Sequence, residues 1–323
     1  MSLPLRLATL TSTAAAILQL LAPLPAQASQ ARQAAQTAQT AQSDRATATR
    51  IEIVDDSGAR LQLSAPAQRI VSLAPHLTEI LFAAGAGAQV VGVVSYSDYP
   101  PAARALPQVG SYNQLNLEAI LALRPDLIVG WQSGNHSGQL ERLQALGLPL
   151  YVNEIRDFAD VAHSLEQLGR LSGHAQSART AAADFRRRHA ELADRYRDQR
   201  QISVFYQIWD RPMMTVNGDH LISKVIELCG GRNVFATLPT LTPTVSVEAV
   251  LAAAPEAIIA SGMDEERPQW LEQWRRWEQL PAARANQLFS IPPDLLQRHT
   301  PRILEGAGLL CEQLDRIRQR EAR

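Results

Sequence analysis

Lysine is nearly missing from this 323-residue chain, Lys224 being the only one, and its arginines gather into no large basic block. With a formal net charge of −1, that distribution excludes the clustered cationic face that a phosphate backbone requires, so nucleic acid is not an expected partner. Apolar runs long enough to cross a bilayer are also lacking. The longest, residues 8–22, is short for a span of about 20 residues and is interrupted by Thr and Gln. Signatures of catalysis are scarce too. No G-x-S-x-G elbow occurs, and Gly85-Ala86-Gly87 follows a helix and precedes a strand, the reverse of a dinucleotide fingerprint, without its third glycine. The seven histidines share no zinc-like spacing, and His136 beside Asn135 reads as a loop residue. What remains, 46% hydrophobic and 20% charged, is the composition of a globular protein, and its length suffices for two lobes with separate cores.

The first 28 residues read as a cleavable export signal: Arg6 gives the positive start, residues 8–22 the apolar centre, and Ala26-Gln27-Ala28 the small-x-small cleavage site. No Cys follows that site, so nothing marks a lipoprotein. Residues 29–50 are Ala/Gln/Thr repeats without aromatics, a composition that buries too little apolar surface to order itself, and are expected to be a flexible linker. Export would place Cys229 and Cys311, the only two cysteines, where they can pair; two buried free thiols are the alternative.

One stretch occurs twice. Asn116-Leu117-Glu118-Ala119-Ile120-Leu121-Ala122-Leu123-Arg124-Pro125-Asp126-Leu127-Ile128-Val129 returns as Ser246-Val247-Glu248-Ala249-Val250-Leu251-Ala252-Ala253-Ala254-Pro255-Glu256-Ala257-Ile258-Ile259. Each copy has a capping residue, a short helix with a carboxylate in its first turn, a Pro that stops it, and an apolar β-run. The interval is too long for a solenoid, so two related lobes are expected. Glu118 and Glu248 occupy equivalent places. Each either serves its helix dipole or presents a docking charge.

After a hairpin over residues 51–63, strands and helices alternate: strands near 69–73, 89–94, 127–129 and 148–152, helices over 77–84, 117–123, 137–146 and 158–171. Residues 175–200 hold neither Gly nor Pro and read as one long helix. A second lobe repeats the alternation, with strands over 203–207 and 288–291 and helices over 222–229 and 301–318. Trp270, Trp274 and Trp277 at i, i+4, i+7 should pack as one helix face. The expected fold is therefore α/β, with two parallel-sheet lobes (51–172 and 201–323) joined by one long rigid helix (173–200) and a ligand cleft between them.

In such sheets ligands bind beyond the carboxyl ends of the strands. Those positions hold Pro75-His76, Tyr96 and Tyr99, Trp131, Trp209, then Asp294 and Arg298. In a chain with few aromatics, that placement suits a large planar or apolar ligand.

The runs Arg69-Ile70-Val71-Ser72-Leu73-Ala74-Pro75 with Thr78-Glu79, Ser95-Tyr96-Ser97-Asp98-Tyr99-Pro100-Pro101, Cys229-Gly230-Gly231 and Pro301-Arg302-Ile303, together with the repeat, resemble the cobalamin-binding branch of the helix-linked periplasmic substrate-binding proteins that feed ABC importers. The likeness extends from about residue 69 to 314. It implies a monomer with a corrinoid, such as cobalamin, held between two lobes, and no cofactor of its own. Tyr96 and Trp131 match the family's cleft aromatics in kind, and Tyr112 stands where a Trp is common. Asp294 and Arg298 match the polar pair that meets the corrin's amide rim. Glu118 and Glu248 match carboxylates that dock on arginines of the permease dimer, and Cys229 with Cys311 the family's disulfide. Thr242 departs from the pattern by replacing a cleft Trp, with Trp209 one position from an expected Phe. His76 replaces a small residue at the cleft floor, where a neutral imidazole suits a metal, so His76 is a candidate axial ligand of the bound tetrapyrrole. Haem or a ferric siderophore in the same fold is the alternative ligand. A periplasmic enzyme using His76 and Asp98 as an acid/base pair is the alternative of another class.

Overall fold

The computed structural model of the protein describes residues 50–261 and 269–321. The expected export signal and all of the expected linker but Arg50 lie outside the described residues. A hairpin comes first, β1 (Ile51–Val54) pairing antiparallel with β2 (Arg60–Leu63). Asp55 closes its turn by accepting from the Ser57 and Ala59 N–H groups, and its second oxygen accepts from Val152 N at 3.0 Å, fastening the hairpin to the first lobe.

That lobe runs β3 (Ile70–Ser72), α1 (Pro75–Ala83), β4 (Val90–Val93), the short pair β5 (Gly110–Ser111) and β6 (Gln114–Leu115), α2 (Leu117–Ala122), β7 (Leu127–Trp131), α3 (Ser137–Ala145), β8 (Leu150–Asn153) and α4 (Phe158–Leu171). The linking helix α5 (Ala175–Tyr196) follows. The second lobe then runs β9 (Ile202–Gln207), α6 (Leu221–Leu228), β10 (Gly231–Asn233), α7 (Val247–Ala253), β11 (Ala257–Ala260), α8 (Gln269–Glu272), α9 (Pro281–Arg284), β12 (Leu288–Ser290), α10 (Pro293–Leu296) and α11 (Ile303–Glu321).

The four-stranded sheets have orders β4-β3-β7-β8 and β10-β9-β11-β12, all pairs parallel. Each places its second strand outside its first, then crosses back to the third and fourth. The sequence repeat accounts for this symmetry at atomic detail. Asn116 caps α2 by accepting from Ala119 N at 3.0 Å, and Ser246 caps α7 by accepting from Ala249 N at 3.2 Å. The acid after each Pro then clips its copy to the first strand of its own lobe. Asp126 accepts from the N–H groups of Gln68 and Arg69, both at 2.8 Å, and Glu256 accepts from Ser203 N at 2.7 Å.

Parallel strands are buried on both faces. One outer cluster lies on the first sheet (Val71, Ile120, Leu143) and another on the second (Phe205, Val250, Leu271), whereas the inner cluster is continuous through both lobes, from Leu77 and Tyr151 through Phe185 on α5 to Ile222 and Leu310. The 22 residues of α5 span about 33 Å. The helix lies so close on α4 that a Cβ at Gly169 would stand 2.1 Å from the Ala178 Cβ.

Three expectations need correction. The long helix stops at Tyr196 rather than at residue 200, because Arg200 pairs with Glu256 at 2.7 Å and its carbonyl accepts from Arg318, drawing the chain toward β9. The tryptophans do not share one α-helix: α8 tightens into a 3-10 turn over Gln273–Arg276 and Trp277 ends it. They pack nonetheless, Trp274 lying edge-on to Phe205 at 5.7 Å with Trp270 and Trp277 on the same cluster. Strand β10 was not anticipated, since Gly231-Arg232-Asn233 carries no apolar run. The two cysteines are joined, Cys229 at the end of α6 to Cys311 in α11, at a sequence separation of 82. Among the described residues no helix is long and apolar enough to cross a membrane.

Candidate functional site

The carboxyl end of β3 is the switch point of the first sheet, with β4 on one side and β7 on the other. Pro75 opens α1, so His76 falls in its first turn, and Trp131 is the last residue of β7. Their rings meet edge to face, 5.0 Å apart at 82°, and Tyr112 continues the row 5.8 Å from Trp131. Buried Asn135 holds the row together: its side-chain oxygen accepts from Trp131 N at 2.7 Å, and its amide donates to the carbonyls of Leu73 at 2.9 Å and Tyr112 at 2.6 Å. At Gly134 a Cβ would stand 1.9 Å from the Trp131 ring, so the indole lies where no other residue type leaves room.

Tyr96 sits in the turn after β4 with a left-handed backbone, φ 65°, a conformation costing roughly 1–2 kcal/mol outside glycine. Thr78 anchors that turn by bonding Ser97 Oγ at 3.2 Å, and Ser95 N donates to Gly110 O at 2.8 Å. The strained backbone leaves the Tyr96 ring exposed. Across the molecule, Trp209 follows β9, exposed, its indole donating to Arg211 O at 3.1 Å. Thr242 is exposed in the loop before α7. The structure thus joins Tyr112, Trp131 and His76 in one row, while Tyr96, Trp209 and Thr242 stand on separate loops.

Asp294 and Arg298 lie in a larger ion cluster that crosses between the lobes. Glu79 of α1, its side chain only 3% exposed, accepts from Arg298 at 3.0 Å and from Arg302 through Nε and Nη2 at 2.8 and 2.7 Å. Arg298 also reaches Asp98 at 2.6 Å and Asp294 at 3.0 Å. The Arg302 guanidinium lies 3.8 Å from the centre of the Tyr99 ring. Burial opposes charge at Asp98, Asp294, Arg298 and Arg302. The bonds to Arg298 still hold Asp98 below the usual carboxylate range, whereas burial wins at Asp294 and pushes its carboxyl up. Both guanidiniums rise despite burial, through Asp98 and Glu79 for Arg298 and Glu79 for Arg302.

Histidines line the junction. His299 lies 6.4 Å from His76 and 5.1 Å from His220, and its Nδ1 pairs with the carbonyl of Ile155 in the first lobe. Burial brings His76 down to about 3 and His299 to about 4, and holds His220 well below its ordinary value. All three are neutral imidazoles near neutral pH. His76 is 6% exposed and packed against Trp131 rather than displayed in the cleft. The acid/base pair of His76 and Asp98 is not formed: Asp98 spends its carboxylate on Arg298. No group of three or more metal-ligating side chains occurs among the described residues.

Glu118 and Glu248 are exposed in the first turns of α2 and α7, at equivalent positions of the two lobes. Its own backbone N–H and the Ser246 side chain hold Glu248 below its ordinary range.

Glu79, Arg302, Asn135 and His299 carry much of this geometry without having been assigned a role from the sequence. A signal for Glu79 exists: a carboxylate inside the otherwise uncharged, mostly apolar run Leu77-Thr78-Glu79-Ile80-Leu81 must find a partner when buried. Arg298 and Arg302, four apart across Pro301, are that partner.

Residues 70–295 match the model of a family described as periplasmic binding protein. A "Vitamin B12-binding protein" of Vibrio parahaemolyticus is 36% identical over 258 residues, 79% of this chain and 92% of the relative. Among solved structures, the periplasmic vitamin B12 binding protein BtuF of Vibrio cholerae superposes with a TM-score of 0.72 at 38% identity, over 77% of this chain and 97% of that one. The periplasmic heme-binding protein RhuT from Roseiflexus sp. RS-1, in apo form, gives 0.69 at 25% identity, over 76% and 97%. The two parallel-sheet lobes joined by α5 are thus a fold shared with these solved relatives, and the chain belongs to the periplasmic binding protein family.

Proposed function

We propose that the protein is a monomeric periplasmic carrier, delivered by the signal in residues 1–28, that captures a cobalamin-type corrinoid between its lobes and hands it to an ABC importer. The observation that carries this reading is the exposure of its aromatics. Among the described residues, the most exposed Tyr and Trp side chains are Tyr96 at 57%, Tyr99 at 43%, Trp209 at 42% and Tyr112 at 38%, all in loops at strand ends. Flat apolar faces left in water at the strand ends suit a ligand that covers them. The relatives named for vitamin B12 support a corrinoid as that ligand. Members of this family are binding proteins rather than enzymes, which removes the acid/base alternative.

In this reading Tyr96, Tyr112, Trp131 and Trp209 take the macrocycle's faces, Thr242 borders it, and Asp294, paired with Arg298, meets its amides. His76 supports Trp131 from the floor. An axial bond from His76 to the ligand's metal would require the imidazole to leave Trp131, so the visible spectrum of the bound ligand should be the same in His76→Ala. Haem remains the competing ligand because a heme-binding relative shares the fold. Calorimetric titration of the mature protein with cyanocobalamin and, separately, haemin decides between them. One-to-one binding of cyanocobalamin is expected, and binding of haemin alone would replace the ligand. Trp131→Ala should weaken cobalamin binding by about 1–3 kcal/mol, the worth of a buried aromatic face.

A further inference from the structure

The ion cluster that joins the lobes presents three carboxylates to two guanidiniums. Glu79 accepts all three of its bonds from Arg298 and Arg302 with its side chain 3% exposed, and Asp98 and Asp294 take the remaining contacts of Arg298. Arg302 is covered on its face by Tyr99. The two guanidiniums that border the cleft are therefore committed within the protein. A ligand carboxylate brought to this rim would have to displace a protein carboxylate already in place, losing its own hydration while meeting Asp98 and Asp294. An amide meets no such penalty, because its N–H groups donate to Asp294 and Asp98, the two carboxylates whose side chains are still 44% and 43% exposed.

We propose that Glu79 is a specificity-determining positioning residue: by occupying Arg298 and Arg302 from behind, it makes the cleft select ligands with an amide rim and reject those with a carboxylate rim. The claim rests on the corrinoid reading above and adds the feature that sets a neutral-rimmed ligand apart from an anionic tetrapyrrole. Glu79 touches no ligand in this account. It acts by deciding what the guanidiniums are free to bind, and discrimination is a difference of two affinities rather than either alone.

The test compares cyanocobalamin with its monocarboxylic acid, in which one side-chain amide is a carboxylate and the rest of the molecule is unchanged, and adds haemin as an unrelated anion. Wild type should prefer the amide by about tenfold or more, which is about 1.4 kcal/mol. In Glu79→Gln the preference should fall below about threefold, and the recovered acid binding should weaken with added salt, as an exposed charge contact does. Asp98→Asn, altering a half-exposed partner of Arg298 with less risk to folding, should move the ratio the same way. Equal affinities for amide and acid in wild type, or an unchanged ratio in both variants, would overturn the proposal while leaving cobalamin as the ligand. Should wild type bind neither corrinoid, the corrinoid reading fails on its own. Haemin bound by Glu79→Gln and not by wild type would then still uphold the role of Glu79, and its absence in both, or its tight binding by wild type, would end it.

Discussion

The three neutral imidazoles at the junction make stability depend on pH with a definite sign. Below about pH 6.5 an unfolded chain takes up a proton on each, whereas the folded chain holds His76 unprotonated down to about 3 and His299 down to about 4. The unfolded state then binds more protons, so stability is full above the unfolded value and falls as pH drops through that window, by up to about 1.4 kcal/mol per pH unit for each histidine. Urea midpoints measured between neutrality and about pH 4.5 should show His76→Gln losing less stability on acidification than wild type. Equal slopes would mean that the His76 ring is not held neutral. The place of His76 after the first β-run was legible in the sequence, as were Trp131 and Arg298. Its burial was not, nor was the role of Glu79, because His76 packs among Trp131 and His299 and Glu79 pairs with Arg298 and Arg302, distant residues that no local pattern connects. Tyr96 shows the same limit from the other side: its type was informative, but the left-handed backbone that exposes it is set by Ser97 and Gly110 through tertiary hydrogen bonds.

At the scale of elements, the repeat did more than announce two lobes. Helices α2 and α7 are capped alike, stopped alike by Pro, and clipped alike to the first strand of each sheet through Asp126 and Glu256. Their first-turn carboxylates are therefore fixed at matching points, while the row of Tyr112, Trp131 and His76 sits on other elements. If the pair docks onto arginines of the importer, reversing one charge should weaken docking without touching the ligand. Glu118→Arg and Glu248→Arg should each reduce uptake and permease binding by about tenfold or more, the scale of a charge pair desolvated in an interface, while cobalamin affinity stays as in wild type. Uptake unaffected by the double reversal would return both residues to the role of helix-dipole partners. Where periodicity misled, an alternative geometry satisfied it equally. Trp270, Trp274 and Trp277 reach one cluster through a helix that tightens halfway, because side-chain spacing alone does not separate an α-turn from a 3-10 turn.

For the whole molecule, the question is how far the lobes move when a ligand enters. Three features oppose a wide swing. The inner apolar cluster continues from the first lobe through Phe185 and Tyr196 of α5 into the second, so opening would expose packed surface. The ion cluster bolts α1 to the segment from Asp294 to Arg302, and His299 reaches the Ile155 carbonyl across the junction. The Cys229–Cys311 bridge ties α6 to α11 inside the second lobe, and by the chain-entropy account a loop of that length contributes about 4 kcal/mol, so that lobe moves as a unit. A hinge made of one continuous helix has no loop to absorb large dihedral changes. Spin labels placed one on each lobe should therefore report a change in separation below about 2 Å on addition of cyanocobalamin. Substituting Glu79 by Gln should broaden the distance distribution without shifting its centre far, since the shared core remains. A ligand-driven closure of many ångströms would show that the apolar continuity along α5 gives way on binding, and would transfer the signal read by the importer from the presence of a filled cleft to the angle between the lobes.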